Sequence, residues 1–235
     1  MAGASRSLYM DGNATIIAAN KLLAAMRKED GTLRTYDEMK AEGIETKYLG
    51  RYETNTTPGL CRLDPNTGIG DPTPAFTYCL NLAEVEVDTK TGKTTVLKFT
   101  CVDFVGRIGN IDAVNGQAYS GIMHGIGFAL KEDYADVKKH ANMFGAGTSY
   151  IKDVPDDINL IHIDGAISDG PFGSSGASEA FQASGHCAVL NGIYNACGVR
   201  IHEIPALPEK VKAGLDAIAK GEKPYEPKKY FLGSD

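Results

Sequence analysis

The residues best suited to chemistry lie in Gly170-Pro171-Phe172-Gly173-Ser174-Ser175-Gly176-Ala177-Ser178-Glu179, a glycine- and serine-rich stretch that closes on one carboxylate. Glycines let a backbone approach a ligand and adopt dihedrals that other residues avoid. The apolar run Ala180 to Ala196 predicts a buried helix directly behind it. A loop at a helix start aims N–H groups at an anion, where the helix dipole also favours negative charge. Glu179 would then stand in the helix's first turn, beside whatever the loop holds. An ordinary helix with Gly176 as N-cap and Glu179 at N3, worth roughly 0.5–1 kcal/mol, explains the same residues. Spacing leaves both readings open. It does exclude a Gly-x-Ser-x-Gly nucleophile elbow, because Gly173-Ser174-Ser175-Gly176 is one residue short, and a phosphate loop, which needs a lysine.

Other segments must position this loop. Ser5, Arg6 and Ser7 lead to Tyr9-Met10-Asp11-Gly12-Asn13, and helical spacing runs from Ala14 to Arg27. A serine- and arginine-rich turn entering a helix is again an anion-site pattern, and equally a frayed terminus. Thr35-Tyr36-Asp37-Glu38 is a capping box opening a short helix that Gly43 ends. Thr46 to Glu53 reads as a strand, and Thr57 to Pro74 as a long loop. Phe76 to Val87 and Thr94 to Val105 alternate as two strands around the turn Asp88 to Lys93. Gly106 to Asn115 forms a second loop, followed by a helix-like run from Gly116 to Leu130 that contains Gly121, Gly125 and Gly127. Small residues at that spacing point to tight helix packing, with His124 buried and Gln117 in the first turn, placed to donate to a ligand. Asn159 to Ile163 is a short strand. Pro208 opens a last amphipathic helix that Gly221 caps, and a Pro/Lys/Tyr-rich tail follows Glu222. The fold class is α+β, with a long hairpin, mixed sheets and packed helices. The whole of 1–235 reads as one region, with 1–105 and 106–235 as candidate subdomains.

Composition limits the function. The 235 residues carry a net charge of −6, which argues against broad binding to nucleic acid or anionic membranes. No apolar run is long enough to span a bilayer, and the first residues have no secretory core. Cys61, Cys79, Cys101, Cys187 and Cys197 are scattered without a Cys-x-x-Cys pair. That argues against a disulfide framework, a structural zinc or an iron–sulfur cluster within this chain, and for reduced thiols in the cytoplasm. No metal ligands are assigned.

Three loops, Ser5–Met10, Gly106–Gln117 and Gly170–Glu179, each lead into a helix. Together with Ala2 to Ala14, Asn115 to Gly121, Gly125 to Leu130 and Gly198 to Val211, they resemble the C-terminal part of the molybdenum-binding region of molybdenum hydroxylases. The closest likeness is to bacterial aldehyde oxidoreductases of the xanthine dehydrogenase family, and it covers essentially the whole chain in order.

The resemblance implies a molybdopterin cofactor in its cytosine dinucleotide form. Ser5, Arg6, Ser7, Leu8, Tyr9 and Met10 would hold the dinucleotide end, with backbone contacts favoured at Ser7, Leu8 and Tyr9. Asn110, Gln117 and Ser175 would add further contacts. Glu179 matches the catalytic glutamate, a general base on a molybdenum-bound hydroxyl that attacks the carbonyl carbon of an aldehyde while hydride passes to a sulfido ligand. Walls from Phe172 and Phe181 and the cofactor's charge would raise its pKa, against the pull of the helix dipole. Family enzymes are several times longer and carry [2Fe-2S] domains. The chain is therefore expected to be a fragment or one subunit of a split enzyme, inactive alone, with the clusters in the remainder or a partner chain. A homodimer of the full enzyme is among the assemblies it allows. The rival readings are a non-catalytic cofactor- or nucleotide-binding subunit that needs a partner, and a truncated reading frame that does not fold alone.

Overall fold

The computed structural model describes residues 3–54, 64–70, 73 and 75–222. Most of the loop expected over Thr57 to Pro74, Cys61 within it, and the tail beyond Glu222 lie outside the described residues. The chain forms two units. The first comprises Met1–Thr77, Phe104–Gly109 and Ile163–Ala177, and the second comprises Tyr78–Asp103, Asn110–His162 and Ser178–Asp235.

In the first unit, helix α1 (Ser7–Met26) begins seven residues earlier than apolar spacing predicts. Its N-terminal half contains Asp11, Gly12 and Asn13, which mask the periodicity. Thr35 caps α2 (Tyr36–Ala41) through a complete capping box with Glu38. The strand expected over Thr46 to Glu53 does not form. That segment lies along α1 instead: Lys21 Nζ donates to the Leu49 carbonyl at 2.9 Å, and a Cβ on Gly50 would run into the Ala14 carbonyl. The Tyr52 hydroxyl donates to that of buried Tyr9 at 3.3 Å, with the rings edge to face. A single 3-10 turn over Pro171–Gly173 packs against α1, where Gly12 makes room for the Pro171 ring.

In the second unit, β1 (Tyr78–Val87), β2 (Thr94–Phe104) and β3 (Asp157–His162) form a sheet in the order β1-β2-β3. The hairpin turn closes with Asp88 N–H on the Lys93 carbonyl at 2.9 Å and Gly92 at φ 78°. β2 and β3 run parallel, pairing Phe99 with Ile158, Cys101 with Leu160 and Asp103 with His162. Helix α3 (Ile111–Leu130) starts five residues before the expected Gly116, because Asn110 acts as its N-cap. After it come α4 (Met143–Ala146), then α5 (Ser178–Ala183), α6 (Gly185–Cys197) and α7 (Pro208–Ala219). The single helix expected from Ala180 to Ala196 is thus two, separated by a turn at Ser184, whose hydroxyl accepts from the Asn81 amide at 2.9 Å. The glycines of α3 serve packing: Gly121 lies against Phe181 of α5, and Gly125 against Gly185 of α6. The core holds Phe99, Cys101, Ile122, Ile126, Phe181, Val189 and Ile193. Among the described residues, no helix is long and apolar enough to cross a membrane.

Candidate functional site

The first unit carries the Ser5–Met10 turn and the Gly170–Ala177 loop. Ala4 and Ser5 take positive φ, 54° and 56°, and turn the chain into α1. Such strain in non-glycine residues persists where surrounding structure holds it, often at ligand sites. Arg6 is the N-cap, its Nε donating to the Gly3 carbonyl at 2.9 Å. Arg6 gives no side-chain cap and the first turn of α1 holds no acidic residue, so no carboxylate of that turn competes for its N–H groups. Ser7 and Leu8 are exposed, Met10 half-buried and Tyr9 buried. Burial, then the neighbouring Tyr52 hydroxyl, push the Tyr9 phenol well above its ordinary range.

The Gly170–Ala177 loop is held from within this unit. Ser175 N–H donates to the Val105 carbonyl at 2.8 Å, and its buried hydroxyl lies 3.3 Å from Thr77 Oγ1. Thr77 also donates to the Gly176 carbonyl at 2.6 Å, and Ser174 to the Arg107 carbonyl at 2.5 Å. Gly176 faces the Ser5 carbonyl at a distance no Cβ would tolerate, so the two loops meet backbone to backbone.

The second unit carries Asn110, Gln117 and Glu179. Asn110 is exposed, its Oδ1 accepting from Ala113 N–H at 2.9 Å. Gln117 lies in the second turn of α3, not the first, because the helix starts early; its Oε1 accepts from the Ser178 hydroxyl. Glu179 stands in the first turn of α5, as the loop spacing predicts, and is exposed. It is the second residue of that helix, so the capping reading with Gly176 as N-cap and Glu179 at N3 does not hold. The apolar wall expected of Phe172 and Phe181 is also not how these rings are used. Phe172 is 84% exposed on a positive-φ residue, and Phe181 is fully buried beneath α3. His124, expected to be buried, is exposed and lies edge-on to Phe128.

Sequence reasoning missed a buried polar network. Asp103, 1% exposed, sets Oδ2 2.6 Å from His162 Nδ1, and His162 Nε2 lies 2.7 Å from Asn115 Oδ1. Burial raises the Asp103 pKa, against the opposing pull of His162. Only the alternation of β2, which turns residue 103 inward, could have flagged it. Among the described residues, no group of three or more His, Cys, Asp or Glu could hold a metal ion.

Comparison with known proteins accounts for this architecture. The aldehyde oxidoreductase of Megalodesulfovibrio gigas is 43% identical over 215 residues, covering 92% of this chain and 23% of that protein. The solved structure of aldehyde oxidoreductase from Desulfovibrio gigas superposes with a TM-score of 0.87 at 42% identity, over 92% of this chain and 24% of that one. That from Desulfovibrio desulfuricans does so with a TM-score of 0.82 at 45% identity, over 89% and 23%. The chain therefore spans about a quarter of the length of these relatives. The α+β fold is that of the molybdenum cofactor-binding part of those enzymes. With the molybdopterin cofactor-binding domain model matching residues 1–155, the chain belongs to the molybdopterin cofactor-binding domain family.

Proposed function

We propose that this chain forms the C-terminal portion of the molybdopterin-binding region of a molybdenum hydroxylase that oxidises an aldehyde to a carboxylic acid. The observation that carries the reading is Glu179, which follows the glycine-rich loop in sequence, exposed in the first turn of α5 and next to the Ser178–Gln117 bond.

The residues present suit an anionic dinucleotide cofactor. The uncapped first turn of α1, with Ser5, Arg6, Ser7, Leu8, Tyr9 and Met10, offers N–H groups and one guanidinium to a pyrophosphate. The strained φ of Ala4 and Ser5 supports that role. Asn110, Gln117 and Ser175 contribute from the other two loops, Ser175 by fixing its loop through Val105 and Thr77. The cytosine dinucleotide form is the one we assign. When bound, the molybdenum cofactor accepts the two electrons of the oxidation.

In the reaction, the aldehyde C–H bond breaks and a C–O bond forms to a water-derived oxygen, releasing two protons and two electrons. The Glu179 carboxylate takes the proton from that oxygen as it attacks. Electrons leave through iron–sulfur clusters in the remainder of the protein or in a partner chain. Reduced cysteines suit a cytoplasmic setting.

In the assembled molybdenum enzyme, Glu179→Gln keeps molybdenum at the wild-type ratio and lowers aldehyde-dependent dye reduction by about 10²–10⁴-fold. Unchanged turnover by that variant would support the rival reading, a non-catalytic cofactor-binding subunit in which Glu179 only complements the dipole of α5.

A further inference from the structure

Asp103 and His162 lie at the C-terminal ends of two parallel strands and stand opposite each other in register. His162 bridges them to α3, with Nδ1 at 2.6 Å from Asp103 Oδ2 and Nε2 at 2.7 Å from Asn115 Oδ1. An amide oxygen only accepts, so Nε2 carries the hydrogen. One proton is then shared on the other side, as imidazolium with carboxylate or as imidazole with carboxylic acid. The second Asp103 oxygen is buried with no hydrogen-bond partner among the described residues. A buried carboxylate in that state is a poor source of net stability.

What this one holds is the start of α3. The buried residues of that helix, Ala118, Gly121, Ile122, Gly125, Ile126, Gly127 and Ala129, begin only in its second turn. Ahead of them, the first residues are tied down by the Asn110 cap and by Asn115. Gln117 projects from a different face of α3, two residues and about 200° further round, and accepts from Ser178 beside Glu179. One face of the helix start is therefore bonded to the sheet, and another to the first turn of α5.

We propose that Asp103, His162 and Asn115 are positioning residues that set the first turns of α3 and, through Gln117 and Ser178, the seat of Glu179. The functional weight of the device rests on the proposed roles of Gln117 and Glu179; the mechanical link does not.

Hydrogen exchange read by mass spectrometry on the assembled protein tests it, comparing peptides over 111–120, 121–130 and 178–183. In His162→Phe and Asn115→Ala, exchange over 111–120 and 178–183 rises tenfold or more, while 121–130 stays within twofold of wild type. His162→Gln, which can still bridge a carboxyl and an amide, restores wild-type exchange to within about threefold. Unchanged exchange over 111–120 in both folded variants, or an equal rise across all three peptides, overturns the proposal. If His162→Phe does not fold, Asn115→Ala decides alone, since it removes only the last link. Gln117→Ala separates the two layers: wild-type molybdenum content and turnover in that variant would defeat the functional reading, while the exchange data still judge the mechanical one.

Discussion

Gly125 of α3 and Gly185 of α6 meet with no side chain between them: a Cβ on Gly125 would stand 2.9 Å from the Gly185 Cα. The obstacle is backbone, which cannot swing aside. Gly125→Ala therefore forces the helices apart and destabilises by about 1–3 kcal/mol. Gly116→Ala, in the same helix but with nothing within 4 Å of the added carbon, stabilises by about 0.5–1 kcal/mol through helix propensity. Urea midpoints at constant slope measure both, and like signs would contradict the packing argument.

Asp103 gives a pH-dependent expectation. Its folded-state pKa lies above the ordinary value because burial disfavours the anion. Its contribution to stability is therefore fully present below the unfolded value of about 4 and is lost as pH rises through the folded one. Asp103→Asn keeps a hydrogen-bonding partner for His162 and removes the titration. Relative to wild type, its melting temperature should rise between pH 4 and pH 7 by on the order of a few °C. A difference that stays flat over that range would contradict a buried, titrating Asp103.

Glu38 has the opposite sign. The Lys28 ammonium 2.7 Å away, then the Thr35 N–H and hydroxyl, hold its carboxyl down to about 2. Stability from this cap is present above the ordinary 4.5 and is lost as pH falls through about 2. Carbon-13 titration of the Glu38 carboxyl should show this low midpoint. Lys28→Met should move it up towards 4.5, while Thr35 still caps α2. An unmoved midpoint would show that Lys28 is not the principal cause.

The parts of the fold that were legible in sequence are those whose cause is local. The Thr35–Glu38 box, the Asp88–Lys93 turn and Pro208 at the head of α7 each follow from a few neighbouring residues. Glu179 in a first turn was legible for the same reason. The early starts of α1 and α3 were not, because polar residues and glycine at their heads hide the apolar period. Thr46 to Glu53 has strand composition, but its neighbour is the side of α1, a choice made by the close approach at Gly50. The Asp103–His162–Asn115 network joins residues 47 and 59 positions apart, and no short motif announces it.

The division of one expected helix into α5 and α6 bears on how Glu179 is kept in place. Six residues are too few for cooperative helix formation in water. The location of α5 therefore comes from its surroundings: the Gln117 amide at one end, the Gly121 surface beneath Phe181, and the Asn81 bond to the turn that follows. Changes in α3 or β1 that never touch a bound molecule can thus displace the carboxylate, giving sequence drift in the scaffold a route to altered reactivity.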